Sequence, residues 1–210
     1  MKKKDIIDII EKEKIVAIVR LNDVSRIDEI VQSLVSGGIK TIEITSNTPS
    51  YLNEIKKIKS LYPEILIGAG TVVSSKIAKK AIDAGAQFLV TPNYNLKIIK
   101  HAHRNNIPVL MGALTPTEIN LAIENGADFI KIFPAGAMGL DYFKAIRAPF
   151  NKAKFIPVGG IDIQNIQDWF SAGAVGVGLG SNLVQPLKKN EDAKLIENTA
   201  RKLVTLINQL

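Results

Sequence analysis

The sequence predicts an α/β fold in which eight parallel strands, each followed by a helix, close into a single (β/α)8 barrel over residues 1–210, with an extra helix ahead of the first strand. Three observations predict it. Short β-branched apolar runs alternate with longer amphipathic stretches from end to end. Four glycine motifs, Ser-Gly-Gly-Ile, Ala-Gly-Ala-Gln, Asn-Gly-Ala-Asp and Ala-Gly-Ala-Val, recur about every 45 residues, the length of two βα units. No Gly/Ser/Pro-rich linker breaks the alternation, so one closed TIM barrel accounts for the pattern better than separate domains do.

The strands are expected at Ile15 to Arg20, Thr41 to Thr45, Ile65 to Ala69, Phe88 to Thr91, Val109 to Met111, Phe129 to Phe133, Phe155 to Val158 and Val175 to Leu179. Each is short and rich in branched or aromatic side chains. The helices are expected at about Lys4 to Lys12, then Ser25 to Ser36, Tyr51 to Leu61, Ser75 to Ala84, Leu96 to Arg104, Pro116 to Glu124, Leu140 to Arg147, Ile163 to Ser171 and Asp192 to Asn208. Ser25, Ser50, Ser74 and Thr115 stand where an N-cap belongs, because a side-chain oxygen there can accept from an unpaired amide of the first turn. Gly37, Gly85, Gly126 and Gly173 follow helical runs, where a left-handed residue stops a helix. An open doubly wound sheet is the alternative topology. It needs nucleotide-binding glycines after the first strand, and Arg20-Leu-Asn-Asp-Val has none.

Composition narrows the chemistry. The 210 residues are 46% hydrophobic and 22% charged, with no cysteine. A chain of this size buries roughly 70% of its unfolded surface, enough for stability without disulfides or a structural metal. Absence of cysteine removes thiol catalysis, Cys-ligated zinc and thiol redox switching. His101 and His103 stand two apart on a helix and point to different faces, a poor start for a metal site. Neither a metal nor a cofactor is expected. The net charge of +7 gathers in Lys2-Lys3-Lys4, Lys56-Lys57-Ile58-Lys59 and Lys188-Lys189, and aromatic residues are only 6% of the chain. That reads as solvated helix faces with no nucleic-acid partner, and as a field that attracts small anions. No apolar run reaches the roughly 20 residues of a membrane span. Met1 to Lys14 is charged throughout and lacks a signal-peptide core, so a cytoplasmic location is expected.

Two charged residues sit inside predicted strands. In Thr41-Ile-Glu-Ile-Thr and Phe129-Ile-Lys-Ile-Phe the isoleucines alternate with Glu43 and Lys131. Period-two geometry puts the isoleucines toward the helices and both charges toward the barrel axis. The residues alone admit two readings. One is a buried ion pair stitching two strands, a weak stabiliser because both charges lose their hydration. The other is chemistry: a desolvated lysine near another cation offers a neutral amine that attacks a ketone, and a carboxylate beside it moves the protons.

Three further signals surround them. Arg20 closes the first strand at the end where such barrels place their sites, and a guanidinium there grips a carboxylate or phosphate through two hydrogen bonds. Gly68-Ala-Gly-Thr-Val offers backbone access and the hydroxyl of Thr71. Pro157-Val-Gly-Gly-Ile and Gly178-Leu-Gly-Ser-Asn follow the seventh and eighth strands, where glycines and the amides of a short following helix cradle phosphate. A small phosphorylated substrate is expected.

With these residues in place the chain resembles the 2-keto-3-deoxy-6-phosphogluconate and 4-hydroxy-2-oxoglutarate aldolases. The resemblance runs through Lys14-Ile-Val-Ala-Ile-Val-Arg, Gly68-Ala-Gly-Thr-Val, Val90-Thr-Pro-Asn, Met111-Gly, Thr115-Pro-Thr-Glu, Lys131-Ile-Phe-Pro-Ala, Pro157-Val-Gly-Gly-Ile and Gly180-Ser. It implies a metal-independent class I aldolase that yields pyruvate and glyceraldehyde 3-phosphate, and a homotrimer. By this resemblance Lys131 is the Schiff-base lysine and Glu43 the acid/base. Thr71 meets the pyruvyl carboxylate, Gly159, Gly160, Gly180 and Ser181 bind phosphate, and Pro92 and Phe133 line the pyruvyl pocket. Asn47 stands where the phosphogluconate branch often has arginine, and Val158 where it often has threonine. Both, with Arg20, resemble the phosphogalactonate branch, in which the epimer at C4 differs. A phosphate-binding epimerase or isomerase, and a non-catalytic sugar-phosphate-binding barrel, are the competing readings.

Overall fold

The computed structural model describes residues 1–184 and 191–209. Lys188-Lys189 lies outside them. In chain order the elements are α1 (Lys3–Glu13), β1 (Ile15–Val19), α2 (Ile27–Ser36), β2 (Thr41–Thr45), α3 (Tyr51–Leu61) and β3 (Leu66–Gly70). There follow α4 (Ser75–Asp83), β4 (Leu89–Val90), α5 (Leu96–Arg104), β5 (Val109–Ala113), α6 (Pro116–Glu124) and β6 (Phe129–Ile132). The chain then runs through α7 (Ala135–Arg147), a 3-10 turn at Ala148–Phe150, β7 (Phe155–Pro157), α8 (Ile166–Ser171), β8 (Val177–Leu179) and α9 (Glu191–Ile207).

The expected (β/α)8 barrel with its N-terminal helix is what forms. Strands β1 to β7 pair in parallel in sequence order, and β8 returns to β1 through Ile15↔Val177 and Ala17↔Leu179. The last seam, between β7 and β8, is closed by the bridge Val158↔Gly178 and by Val175 N donating to Phe155 O at 2.9 Å.

Strand alternation divides the apolar side chains into two cores. Ile42, Ile44, Ile67, Ile130 and Ile132 face outward and pack under the helices. Val16, Ile18, Leu66, Phe88, Leu110, Phe129 and Ile156 face inward and form a separate cluster on the axis. Ile6 and Ile10 of α1 belong to that inner cluster, so α1 plugs the N-terminal end of the barrel. One carboxylate holds the plug in place. Asp128, just before β6, accepts from Lys3 of α1 at 2.8 Å and from Val109 N at 2.9 Å, and bonds His103 Nε2 at 2.8 Å.

Several boundaries differ from expectation, each for a local reason. Ser74 and Thr115 do cap their helices, Thr115 in a reciprocal box with Glu118. Ser25 does not: its amide and hydroxyl both turn to Asp23 at 2.9 Å, and α2 starts two residues later. Ser50 is the N-cap residue of α3 but is left-handed at φ 54° and makes no side-chain cap. Helix α7 begins at Ala135, ahead of the expected Leu140, and breaks at Gly139, where φ is 83° and ψ 169°. Helix α8 begins at Ile166 because Asp162 Oδ1 takes the amides of Gln164 and Asn165, forming a side-chain turn in place of a helical one.

The first copy of the glycine repeat is displaced by one residue. Gly38, with φ 96°, is the left-handed residue after α2, while Gly37 has an ordinary φ of −76°. Gly37 is small for a different reason. A Cβ there would meet the Ala200 Cβ and come within 2.8 Å of Glu197 O, because α9 lies directly on this turn. Gly37→Ala is therefore expected to destabilise the fold by about 1–3 kcal/mol through overpacking. Urea unfolding measures it, and an unchanged midpoint would show that α9 shifts at no cost.

Candidate active site

The site occupies the C-terminal half of the barrel, where inward positions are given to glycine. On β3, β5 and β8 these are Gly68, Gly70, Gly112 and Gly178. A Cβ at Gly68 would lie 2.5 Å from the Phe88 ring, at Gly112 2.5 Å from Asn93 N, and at Gly178 2.6 Å from Val158 Cγ2. A Cβ at Gly70 would strike the Glu43 carboxylate, 2.8 Å from its Cδ. Neighbouring groups thus lean over bare backbone, and a cavity of about 520 Å3 opens above the inner cluster.

Eleven of the twelve sequence-predicted residues line that cavity: Arg20, Asn47, Thr71, Pro92, Lys131, Phe133, Val158, Gly159, Gly160, Gly180 and Ser181. Glu43, the twelfth, is packed into the wall over Gly70, only 1% exposed. Lys131 is 6% exposed. Strands β2 and β6 stand four apart in a ring of eight, so Glu43 and Lys131 face each other across the axis. The two strands are not neighbours. Among the described residues no salt bridge joins them, and Glu43 Oε2 is buried without a hydrogen-bond partner.

Burial sets the electrostatics of this pair. It pushes the Lys131 amine below the ordinary lysine range; the Glu43 charge opposes that shift and the Arg20 cation adds to it. Burial also raises the Glu43 carboxyl above the ordinary range, against the pull of Lys131 and Arg20. Both groups are driven toward their neutral forms. The Phe133 ring covers the amine, its centroid 5.3 Å from Lys131 Nζ.

Arg20 and Thr71 meet at one side of the cavity, with Arg20 Nη2 donating to Thr71 Oγ1 at 3.4 Å. Arg20 is framed by threonines that the sequence analysis did not single out. Thr48 Oγ1 accepts from Leu21 N at 3.2 Å and pairs with Thr45 Oγ1 at 3.1 Å. Thr71 itself is left-handed, φ 54°, a strained state for a branched residue. Ser46 secures it by donating its hydroxyl to Thr71 O at 2.7 Å and its amide to Gly70 O at 2.9 Å. Asn47 is exposed at the rim beside them.

The opposite side is backbone. Gly159 and Gly160 have φ of 95° and 72°, values that an L side chain resists. Gly180 has open space where a Cβ would be, and its carbonyl accepts from Leu183 N and Val184 N in a turn. Helix α8 starts five residues past Ile161, and residues 181–183 form a turn. Asn182, also on the cavity wall, ties the two loops by donating to Ile161 O at 3.0 Å. Sequence patterning carries no signal for Asn182, Ser46 or Thr48, because each acts through a partner from another strand or loop.

No helix among the described residues is long and apolar enough to cross a membrane. The family model described as KDPG and KHG aldolase matches residues 6–199. A 2-dehydro-3-deoxy-6-phosphogalactonate aldolase of Escherichia coli (strain K12) is 34% identical over 180 residues, 84% of this chain and 84% of that protein. A 2-dehydro-3-deoxy-phosphogluconate aldolase of Treponema pallidum (strain Nichols) is 32% identical over 165 residues, 78% of this chain and 79% of that one. The solved native KDPGal structure superimposes with a TM-score of 0.86 at 31% identity, over 93% of this chain and 94% of that chain. A family match running from α1 into α9, on a barrel whose motifs converge on one cavity, establishes that the chain belongs to the KDPG and KHG aldolase family.

Proposed function

We propose that the protein is a class I aldolase that cleaves a 2-keto-3-deoxy-6-phospho sugar acid into pyruvate and glyceraldehyde 3-phosphate through a Schiff base on Lys131. The observation that carries this reading is the pair of opposite charges, Lys131 and Glu43, sealed in one barrel and unbonded to each other. An amine held below its ordinary range is a nucleophile, and a carboxyl held above its own takes up and gives back a proton more readily than an ordinary glutamate.

The neutral Lys131 amine attacks the C2 ketone, and uptake of one proton from solvent with loss of water leaves an iminium ion. The Glu43 carboxylate takes the proton of the C4 hydroxyl. The C3–C4 bond breaks, its electron pair moving through C3 and C2 onto the iminium nitrogen to give an enamine, while C4 becomes the aldehyde of glyceraldehyde 3-phosphate. Glu43 returns the proton to C3, and water hydrolyses the pyruvyl iminium, freeing the amine and giving back to solvent the proton taken up at the start. Arg20 and Thr71 hold the substrate carboxylate at one side, with Asn47 at the rim. Gly159, Gly160, Gly180 and Ser181 hold the phosphate at the other. Pro92 and Phe133 flank the pyruvyl carbons.

Incubation with pyruvate followed by borohydride reduction is expected to place a pyruvyl adduct on Lys131, and Lys131→Met should carry none. An unmodified Lys131 peptide in the wild type would sink the mechanism. The trapping rate should climb with pH as the ammonium loses its proton, and level off below the ordinary lysine range. A rate still climbing at strongly alkaline pH contradicts the burial argument.

Gly70→Ala is expected to push the Glu43 carboxylate from its seat. Turnover should fall about tenfold or more while adduct formation on Lys131 persists, since only proton transfer is disturbed. Equal loss of both would mean a collapsed barrel.

Val158 supplies no hydroxyl to the substrate, which supports the phosphogalactonate epimer as the preferred one. Comparing kcat/KM for the two C4 epimers checks this. A clear preference for the phosphogluconate form would overturn it.

A further inference from the structure

We infer that Asn165, which lies outside the cavity, is a positioning residue for anion binding: its side chain turns the Gly160–Ile161 peptide so that the Ile161 amide faces the site. The inference rests on the phosphate reading proposed above and adds a residue to it.

The loop after β7 has its carbonyls tied down one after another. Val158 O accepts from Ala135 N at 2.9 Å and Gly159 O from Gly136 N at 2.8 Å, both from the first turn of α7. Gly160 O accepts from Asn165 Nδ2 at 2.9 Å, and Ile161 O from Asn182 Nδ2 at 3.0 Å. In a trans peptide the C=O of one residue and the N–H of the next point in opposite directions. Fixing Gly159 O against α7 therefore aims the Gly160 amide the other way, and fixing Gly160 O against Asn165 does the same for the Ile161 amide. Gly160 and Ile161 line the cavity, and neither amide donates to a backbone acceptor among the described residues. Adjacent donors turned to one side by glycine conformations make a concave site for an anion.

Asn165 suits this task and no simpler side chain would. Its Oδ1 accepts from Asp162 N at 3.1 Å while its Nδ2 donates to Gly160 O, so one planar amide spans the loop. Flipping it would set oxygen against oxygen and N–H against N–H, which fixes the orientation. Gly136 completes the arrangement. A Cβ there would lie 2.7 Å from Gly159 O and 2.8 Å from Gly160 Cα, so only glycine lets α7 come close enough to hold the loop.

Calorimetric titration with inorganic phosphate tests the role. Asn165→Ala is expected to weaken phosphate binding roughly five- to tenfold, the loss of the side-chain bond to Gly160 O and of the donor it aims. Pyruvate trapping on Lys131, which engages no phosphate, should proceed at the wild-type rate. Asn165→Asp keeps the shape and the acceptor for Asp162 N but loses the donor, so it should weaken phosphate binding as well, and it serves if the alanine variant does not fold. Phosphate affinity unchanged in either folded variant overturns the inference and leaves the aldolase reading intact. An equal fall in trapping and phosphate binding overturns it in favour of a general structural role. No phosphate binding by the wild type would overturn the phosphate reading and this inference together.

Discussion

The structure depends on a constraint of volume: what stands inside the C-terminal half of the barrel is set by where side chains are missing. A barrel of eight strands ordinarily fills its axis with branched side chains in layers. Here the N-terminal half obeys that rule, with Phe88, Leu110, Phe129 and Ile156 meeting the plug of α1. Above them Gly68, Gly70, Gly112 and Gly178 carry no side chain, and adjacent groups crowd the positions where one would be. The released space admits Lys131 and Glu43, which would otherwise be excluded by size as much as by charge. It also keeps them apart on opposite walls, where a contracted interior would have forced them into a neutralised pair.

The electrostatic consequences follow from that separation. A paired lysine and glutamate would hold each other in their charged forms. Without a direct bond, burial is the larger influence on both and drives each toward neutrality. Arg20 acts on the two in opposite senses: it disfavours a second cation at Lys131 and favours the anion at Glu43. One cation near the rim, itself exposed, thus favours a neutral amine and a charged carboxylate deeper down. The net charge of +7 has its most specific expression in this arrangement, not in the solvated lysines of the outer helices.

Much of the fold was legible because its determinants are local. Runs such as Ile15-Val-Ala-Ile-Val carry strand preference within five residues, and Thr115 with Glu118 announces a helix start over four. Glu43 and Lys131 were legible for a related reason: alternation fixes the side of a strand, and a charge on the axial side is anomalous wherever the chain folds. The positioning groups were not legible. Asn165 is one more asparagine in a polar turn until the loop after β7 folds against it, and Gly136 is one more small residue in a helix. Gly37 was read as a helix stop although Gly38 does that work, because the closeness of α9, about 160 residues away in sequence, leaves no local trace. Ser25 shows the limit even of local rules, since Asp23 two residues earlier captured it.

The seam between β8 and β1 bears on how the site comes into being. Ile15 pairs with Val177, and α9 settles on the turn that follows α2, so one side of the first strand has no partner until nearly the entire chain is in place. Such long-range closure makes folding slow relative to helical proteins of the same size. The lysine of β6 and the glutamate of β2 lie on strands that can pair with their neighbours earlier. The turn at Gly180 and Ser181, by contrast, follows β8 and takes its place on the cavity wall with the strand that shuts the ring. The cavity shared by Lys131, Thr71 and Gly180 is therefore complete only once β8 has closed the ring.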